Sequence, residues 1–322
     1  MAPSVSVILP VFNSEAFIAE AVTSVLQQDF ADFELLVIDD GSTDSTPEIL
    51  ARFTDGRMRM IRTENRGVAA ARNVGLDQAK GSVITFLDSD DRWRPSKLST
   101  ENAIFSSEPE VGLIFSNFIR FSEAGAFKSD QFTYYEGLSL IPSRKSRSGH
   151  GRVVTVPAFQ AFLKLYDFPA WTQALAVRAQ VFGDLRFPKE RKDREGRLLF
   201  LEDFALAQRL FQRTCVAYIQ KPMLEVRRHP DNSTADYSEM PQAILNTLLS
   251  LKDVPVNSSE RVALKRRIAR QWLAVGEQQA LKGNLVGALR CFTMAALRGR
   301  PHSVAKRLLL LPKRIFFQER RN

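Results

Sequence analysis

Over its first hundred residues the chain alternates short apolar runs with longer stretches in which apolar positions recur three or four apart. The runs at 5–11 (VSVILPV), 33–39 (FELLVID), 58–63 (MRMIRT) and 82–88 (SVITFLD) read as strands. Between them, 15–28 reads as a helix with Phe17, Ala21, Val22 and Val25 on one face. The segments 45–53, with Pro47 in its first turn, and 68–80 read as two more helices. Strands that are apolar along their length and separated by helices predict an α/β fold, with a mostly parallel sheet flanked by helices. Ligands of such sheets bind beyond the carboxyl ends of the strands. Further on, 111–121 reads as another strand and 198–213 as a helix that opens on Glu202 and Asp203. Residues 122–152 show little apolar periodicity and predict an insertion or mobile loop. The basic stretch 144–152 within it is either a phosphate contact or a solvated loop.

Acidic residues gather at two of the predicted strand ends: Asp39 and Asp40 after the second strand, and Asp88, Asp90 and Asp91 in FLDSDD after the fourth. Crowded carboxylates repel unless they are solvated or a cation lies among them. A single Asp there would suit an acidic turn or a helix N-cap; three ask for a metal. The first turn, PVFNSEA, has no G-x-G-x-x-G, the first glycine is Gly41, and no G-x-x-x-x-G-K-[ST] loop occurs. A diphosphate bound here therefore needs a divalent cation. Asp88 and Asp90 supply hard oxygen ligands suited to Mn²⁺ or Mg²⁺. For Glu202 and Asp203 alone, the simplest reading is two acids well placed at a helix N-terminus.

The 322 residues, 44% hydrophobic, suffice for a sizeable core. Two cysteines, Cys215 and Cys291, make neither a disulfide framework nor a zinc cluster and suit a cytoplasmic setting. The chain moves directly into an apolar strand with no basic leader, and no apolar run reaches 18 residues, so neither secretion nor a spanning helix is expected.

Four stretches in order, VSVILPVFN, LLVIDDGSTDST, NRGVAAARNVGL and FLDSDD, together resemble family 2 glycosyltransferases, inverting enzymes of the Rossmann-like GT-A fold. The resemblance is strong over residues 4–100 and thins beyond. It implies a domain over 1–240, with a donor half to about 110 and an acceptor half over 111–240. It also implies a nucleotide-diphosphate-sugar donor, commonly a UDP-sugar, and a glycan or lipid-linked acceptor in cell-surface polysaccharide synthesis. Donor contacts are expected from Pro10, Phe12, Asn13, Asp39, Asp40, Arg72, Asp88 and Arg228. Phe12 could stack on a base and Asp39 accept its imino N–H; alternatively Phe12 is a core aromatic and one aspartate forms a turn. Arg72 either meets the donor or pairs with an aspartate of the cluster. The Glu-Asp pair matches the family motif whose aspartate is the base, which assigns Asp203, with Glu202 orienting acceptor or base. His229, in VRRHPDNST, would complete the metal shell with Asp88 and Asp90 or close over the diphosphate. Trp171 would line the acceptor pocket or lie in the core.

The last 80 residues form a separate module over 241–322. The spacing of Trp272, Gly276, Gly283, Ala288, Phe292 and Ala295 resembles one tetratricopeptide-type helical hairpin. From Arg261 onward there are 15 Lys or Arg against Glu277 and Glu319, and residues 303–322 mix leucines and phenylalanines with basic residues. That composition suits an anchor at the inner face of the cytoplasmic membrane, or a packed terminal helix. Two other classes fit parts of the chain: a non-catalytic scaffold on the same fold, and a nucleic-acid binder using the basic tail. The second leaves the acidic clusters unexplained, and no nucleic-acid-binding motif accompanies the charge.

Overall fold

Every residue of β1 (Val5–Val11) is buried, as an apolar strand with a hydrogen-bonded neighbour on each side must be. It pairs in parallel with β2 (Phe33–Asp39) in a register that sets Val11 against Asp39. Helix α1 (Ile18–Leu26) joins them and buries Ile18, Ala21, Val22 and Val25, the face expected from the sequence. Beyond β2 lies β3 (Met58–Arg62), reached through α2 (Thr46–Leu50), and on the other side of β1 lies β4 (Val83–Phe86), reached through α3 (Val68–Gln78). Helix α3 approaches β1 closely at Gly75, where a Cβ would stand 2.4 Å from Ile8 Cγ2. Structure is described for residues 2–122, 125–164, 171–189, 201–229, 240–251, 254 and 256–298 of this computed structural model, side chains 126–129, 134 and 136 excepted.

The second half of the sheet is mixed. After β5 (Arg92–Trp93) and α4 (Lys97–Ser107), the chain forms β6 (Val111–Ser122), β7 (Gly125–Asp130), β8 (Ser143–Lys145) and β9 (Arg152–Val154). Helix α5 (Ala158–Lys164), β10 (Leu175–Arg178), α6 (Ala179–Phe182), α7 (Glu202–Arg213) and β11 (Cys215–Arg227) follow. The strand order is β3-β2-β1-β4-β10-β6-β11-β9-β8, with β5 on β11 and β7 on β6. Strand β10 runs antiparallel to both β4 and β6, whereas β6 and β11 are parallel. The parallel arrangement expected along the sheet thus holds from β3 to β4 and between β6 and β11.

Of the two expectations for 122–152, an insertion or a mobile loop, the described residues fit an insertion with its own structure. Where described, it forms edge strands and two 3₁₀ turns (Gln131–Tyr134 and Glu136–Leu140), and buries Tyr135, Leu138 and Ile141. Two arginines of its basic stretch are engaged by Glu108. Arg144 Nη2 lies 2.7 Å from Glu108 Oε2, and the Arg147 backbone N–H donates to Glu108 Oε1 at 2.7 Å. Hydrogen bonding from Arg144 holds the Glu108 carboxyl at about 2. Strands of three residues pinned by one carboxylate have no period for a sequence to display.

Two compact units result: Met1–Glu190 with Glu202–Ser233, and Arg191–Leu201 with Thr234–Asn322. The second contains α8 (Met240–Ser250), α9 (Ser258–Leu281) and α10 (Leu285–Leu297). Asn257 caps α9 in a reciprocal box with Glu260. Gly283, at φ +79°, lies between α9 and α10, and Phe292 packs so tightly on Gly276 that a Cβ there would stand 2.6 Å from the ring. Among the described residues no helix is long and apolar enough to cross a membrane. The terminal anchor expected over 303–322 lies outside them.

Candidate active site

Parallel strands deliver their carboxyl ends to one edge, and the residues singled out from the sequence collect there. Pro10 is buried in β1, and Phe12 follows it with 44% of its surface exposed, a placement for an available ring rather than a core one. Asn13 adopts φ +47°; its Oδ1 accepts the Thr43 N–H at 2.8 Å, and its own N–H donates to Ser42 Oγ at 3.0 Å. This ties the turn after β1 to the turn after β2.

The two aspartates ending β2 differ. Asp39 is fully buried; Oδ1 accepts the Ser42 N–H at 2.9 Å, while Oδ2 has no hydrogen-bond donor and stands 3.6 Å from Arg62 Nη1. Asp40 is occupied by the turn beyond β3, accepting from Thr63 Oγ1 at 3.1 Å and from the Gly67 N–H at 2.7 Å. Of the pair, Asp39 keeps an oxygen able to accept a further N–H.

Around the D-x-D stretch, Arg72 is the organising group. It projects from α3, is buried, and donates from Nη2 to Asp88 Oδ1 at 2.8 Å and from Nη1 to Glu202 Oε1 at 3.4 Å. One guanidinium thereby joins the loop after β4 to the first turn of α7, 130 positions away. Its Nε is buried without an acceptor, and Phe187 lies under it at 5.4 Å. Asp90 Oδ2 lies 3.1 Å from His229 Nε2, so two of the three expected metal ligands are already together. Ser89, between the two aspartates, meets Ser14 Oγ at 2.7 Å.

Burial governs the charges here. It pushes the Asp90 carboxyl up, with Asp88 adding repulsion and His229 opposing. Asp91, buried and accepting the Arg227 N–H at 2.8 Å, is pushed well up by burial and by Asp90 and Asp88. Asp203, half-buried at the start of α7, is raised by burial against the downward pull of Arg72. An added cation would relieve these raised carboxyls, and two carboxylates with an imidazole are a donor set that Mn²⁺ accepts. Among the described residues no three such groups stand preassembled as a metal cage, Asp88 being turned to Arg72.

Trp171 packs partly on the core, 5.3 Å from Phe118, with the Arg120 and Arg228 guanidiniums 5.5 and 5.9 Å from its ring. Sequence reading passed over Phe17, whose ring lies 4.9 Å from His229. The basic segment VRRHPDNST, expected to close over the diphosphate, includes Arg227, which donates from Nε to the Asp90 carbonyl at 2.9 Å. The basic run after an apolar strand was a visible signal for Arg227; nothing local marked Phe17 as more than a helix-face aromatic.

Residues 6–165 match the model of glycosyl transferase family 2. The chain belongs to glycosyltransferase family 2. In Escherichia coli the relative WfgD, a UDP-Glc:alpha-D-GlcNAc-diphosphoundecaprenol beta-1,3-glucosyltransferase, is 40% identical over 118 residues, 36% of this chain and 43% of its own length. The chain thus matches less than half the length of that relative. Staphylococcus aureus TarS (residues 1–349, with UDP-GlcNAc) shares the fold at TM-score 0.63 and 19% identity, over 99% of this chain and 92% of that one. A mannosyltransferase of Pyrobaculum calidifontis, solved with GDP-Man and Mn²⁺, superposes at TM-score 0.55 and 20% identity, over 99% and 83% of the two chains. These likenesses establish a GT-A fold for the family 2 chain.

Proposed function

We propose that this family 2 chain is an inverting, divalent-cation-dependent glycosyltransferase that moves a sugar from a nucleotide-diphosphate donor, a UDP-sugar, to a hydroxyl of a glycan or lipid-linked acceptor. The observation that carries this reading is the Arg72 bridge, which gathers the D-x-D loop and the Glu-Asp helix about one cation. A scaffold or a nucleic-acid binder gives no reason for two acidic motifs to converge on one buried arginine.

The exposed Phe12 ring stacks on the nucleotide base, and Asp39 Oδ2, which has no hydrogen-bond donor within the chain, accepts its imino N–H. Asp88, Asp90 and His229 hold Mn²⁺ or Mg²⁺, which when bound offsets the negative charge of the departing diphosphate. Arg228 lies within reach of the same acidic cluster, where burial and the neighbouring aspartates push Asp91 up and the charge of Arg228 opposes them, and contacts the diphosphate. Trp171 offers an aromatic face to the acceptor. Asp203 removes the proton from the acceptor hydroxyl as its oxygen bonds to the anomeric carbon and the sugar–phosphate bond breaks on the opposite face. Glu202, fixed by Arg72, orients that base. The relative WfgD, by its name, acts on a diphosphoundecaprenol-linked acceptor; an acceptor of that lipid-linked class would place this enzyme at the inner membrane face during surface polysaccharide synthesis.

A screen of nucleotide sugars with and without Mn²⁺, reading released nucleotide diphosphate, tests the proposal. Turnover of at least one UDP-sugar that disappears on chelation and in Asp90→Ala is expected. Metal-independent release, or no release from any donor and no UDP binding, would overturn it.

A further inference from the structure

The outer side of α10 is apolar. Leu285 (67%), Val286 (67%), Leu289 (61%) and Leu297 (76%) leave most of their surface in solvent. At about 100° per residue, these four fall within one sector of roughly 120° on the helix. The inward sector carries Ala288, Cys291, Phe292 and Ala295, all buried. Isolated exposed leucines need no explanation, but four on one face of a 13-residue helix form a patch.

Charge decides what fits that patch. From Leu281 to Arg298 there is no Asp or Glu, while Lys282, Arg290 and Arg298 occur within or beside the helix. A second copy would bring the same cations face to face, and the patch, on the order of 500 Å², falls short of the roughly 800 Å² per partner that stable association takes. The chain's own residues 299–322 carry seven Lys or Arg against one acid, so covering α10 with them would also oppose like charges. An anionic lipid surface meets both needs, apolar burial at the acyl boundary and counter-charge at the headgroups.

We infer that α10 is a docking face for an anionic membrane surface, with Leu285, Val286, Leu289 and Leu297 entering the acyl boundary and the exposed Lys282 and Arg290 at headgroup level. The inference is independent of the proposed glycosyl transfer. It places lipid contact on a folded helix of the second unit, separately from the terminal segment 303–322.

Flotation of the full chain with phosphatidylcholine vesicles containing about a third phosphatidylglycerol tests it. Wild-type protein floats at low salt and is released as salt rises, since the charge contribution is screened. Leu285→Glu/Leu289→Glu lowers the vesicle-bound fraction at least about tenfold, with circular dichroism unchanged because both side chains face solvent. The milder Val286→Ser/Leu289→Ser pair reports the same direction should the acidic pair misfold. Wild-type flotation by both α10 variants, with loss only in Phe316→Glu/Phe317→Glu, would overturn the inference in favour of the tail. A wild type that stays unbound while sedimenting as a dimer, and a double variant that sediments as a monomer, would overturn it in favour of a second copy.

Discussion

Two acids adjacent in sequence do different work, and their surroundings separate them. Glu202 is tied to Arg72, whereas Asp203 is half-buried and raised by desolvation while Arg72 draws it down. Asp203→Asn should leave UDP affinity by calorimetry within a few-fold and cut transfer at least about a hundredfold, the scale of a lost general base. Transfer near the wild-type rate would remove Asp203 from that role. The base acts deprotonated, so transfer falls as pH drops through the folded-state value of Asp203, which lies above that of an ordinary aspartate. Removing the cation raises this value further. In Arg72→Met the acidic limb of kcat/KM should therefore move to higher pH, and Arg72→Lys should move it less. An unshifted limb in Arg72→Met would show that the bridge does not act on the base.

Elements explain why some changes spread. Helix α10 lies against α9 at Gly276, where the Phe292 ring occupies the space of a side chain. Gly276→Val should cost about 1–3 kcal/mol in denaturant unfolding, the scale of overpacking a core. Gly276→Ala regains up to about 1 kcal/mol of helix propensity and should cost less. At the sheet edge, Glu108 holds the β8–β9 hairpin through Arg144 and Arg147. Its folded pKa of about 2 lies below the ordinary glutamate value of 4.5, so its contribution is complete above pH 4.5 and is lost as pH falls towards 2. Glu108→Gln should cost about 1–2 kcal/mol at pH 7, discounted for the half-exposed Arg144, and the difference from wild type should shrink across that window. A constant difference down to pH 2 would show that shape, not charge, fixes the hairpin.

For the whole molecule, ligand linkage gives the broadest test. UDP with Mn²⁺ at about a hundred times its Kd should stabilise the chain by about 2.7 kcal/mol, and Asp90→Ala should abolish the gain. Much of this was legible in the chain. The strands 5–11 and 33–39 kept those bounds, and α1 buried the face its period marked, because apolar periodicity is a local record of which side meets a core. The acidic clusters were legible because unlike neighbours cannot hide three carboxylates in four positions. The edge at 122–152 was not, since short strands held by a distant carboxylate leave no period. Nor was the reach of Arg72 beyond an aspartate of the cluster to Glu202. By itself the sequence determined the strand and helix alternation, the family and the residue types of the site. Tertiary structure alone decided which charges meet, because burial and contact between positions up to 130 apart, not spacing along the chain, set each group's partner and protonation.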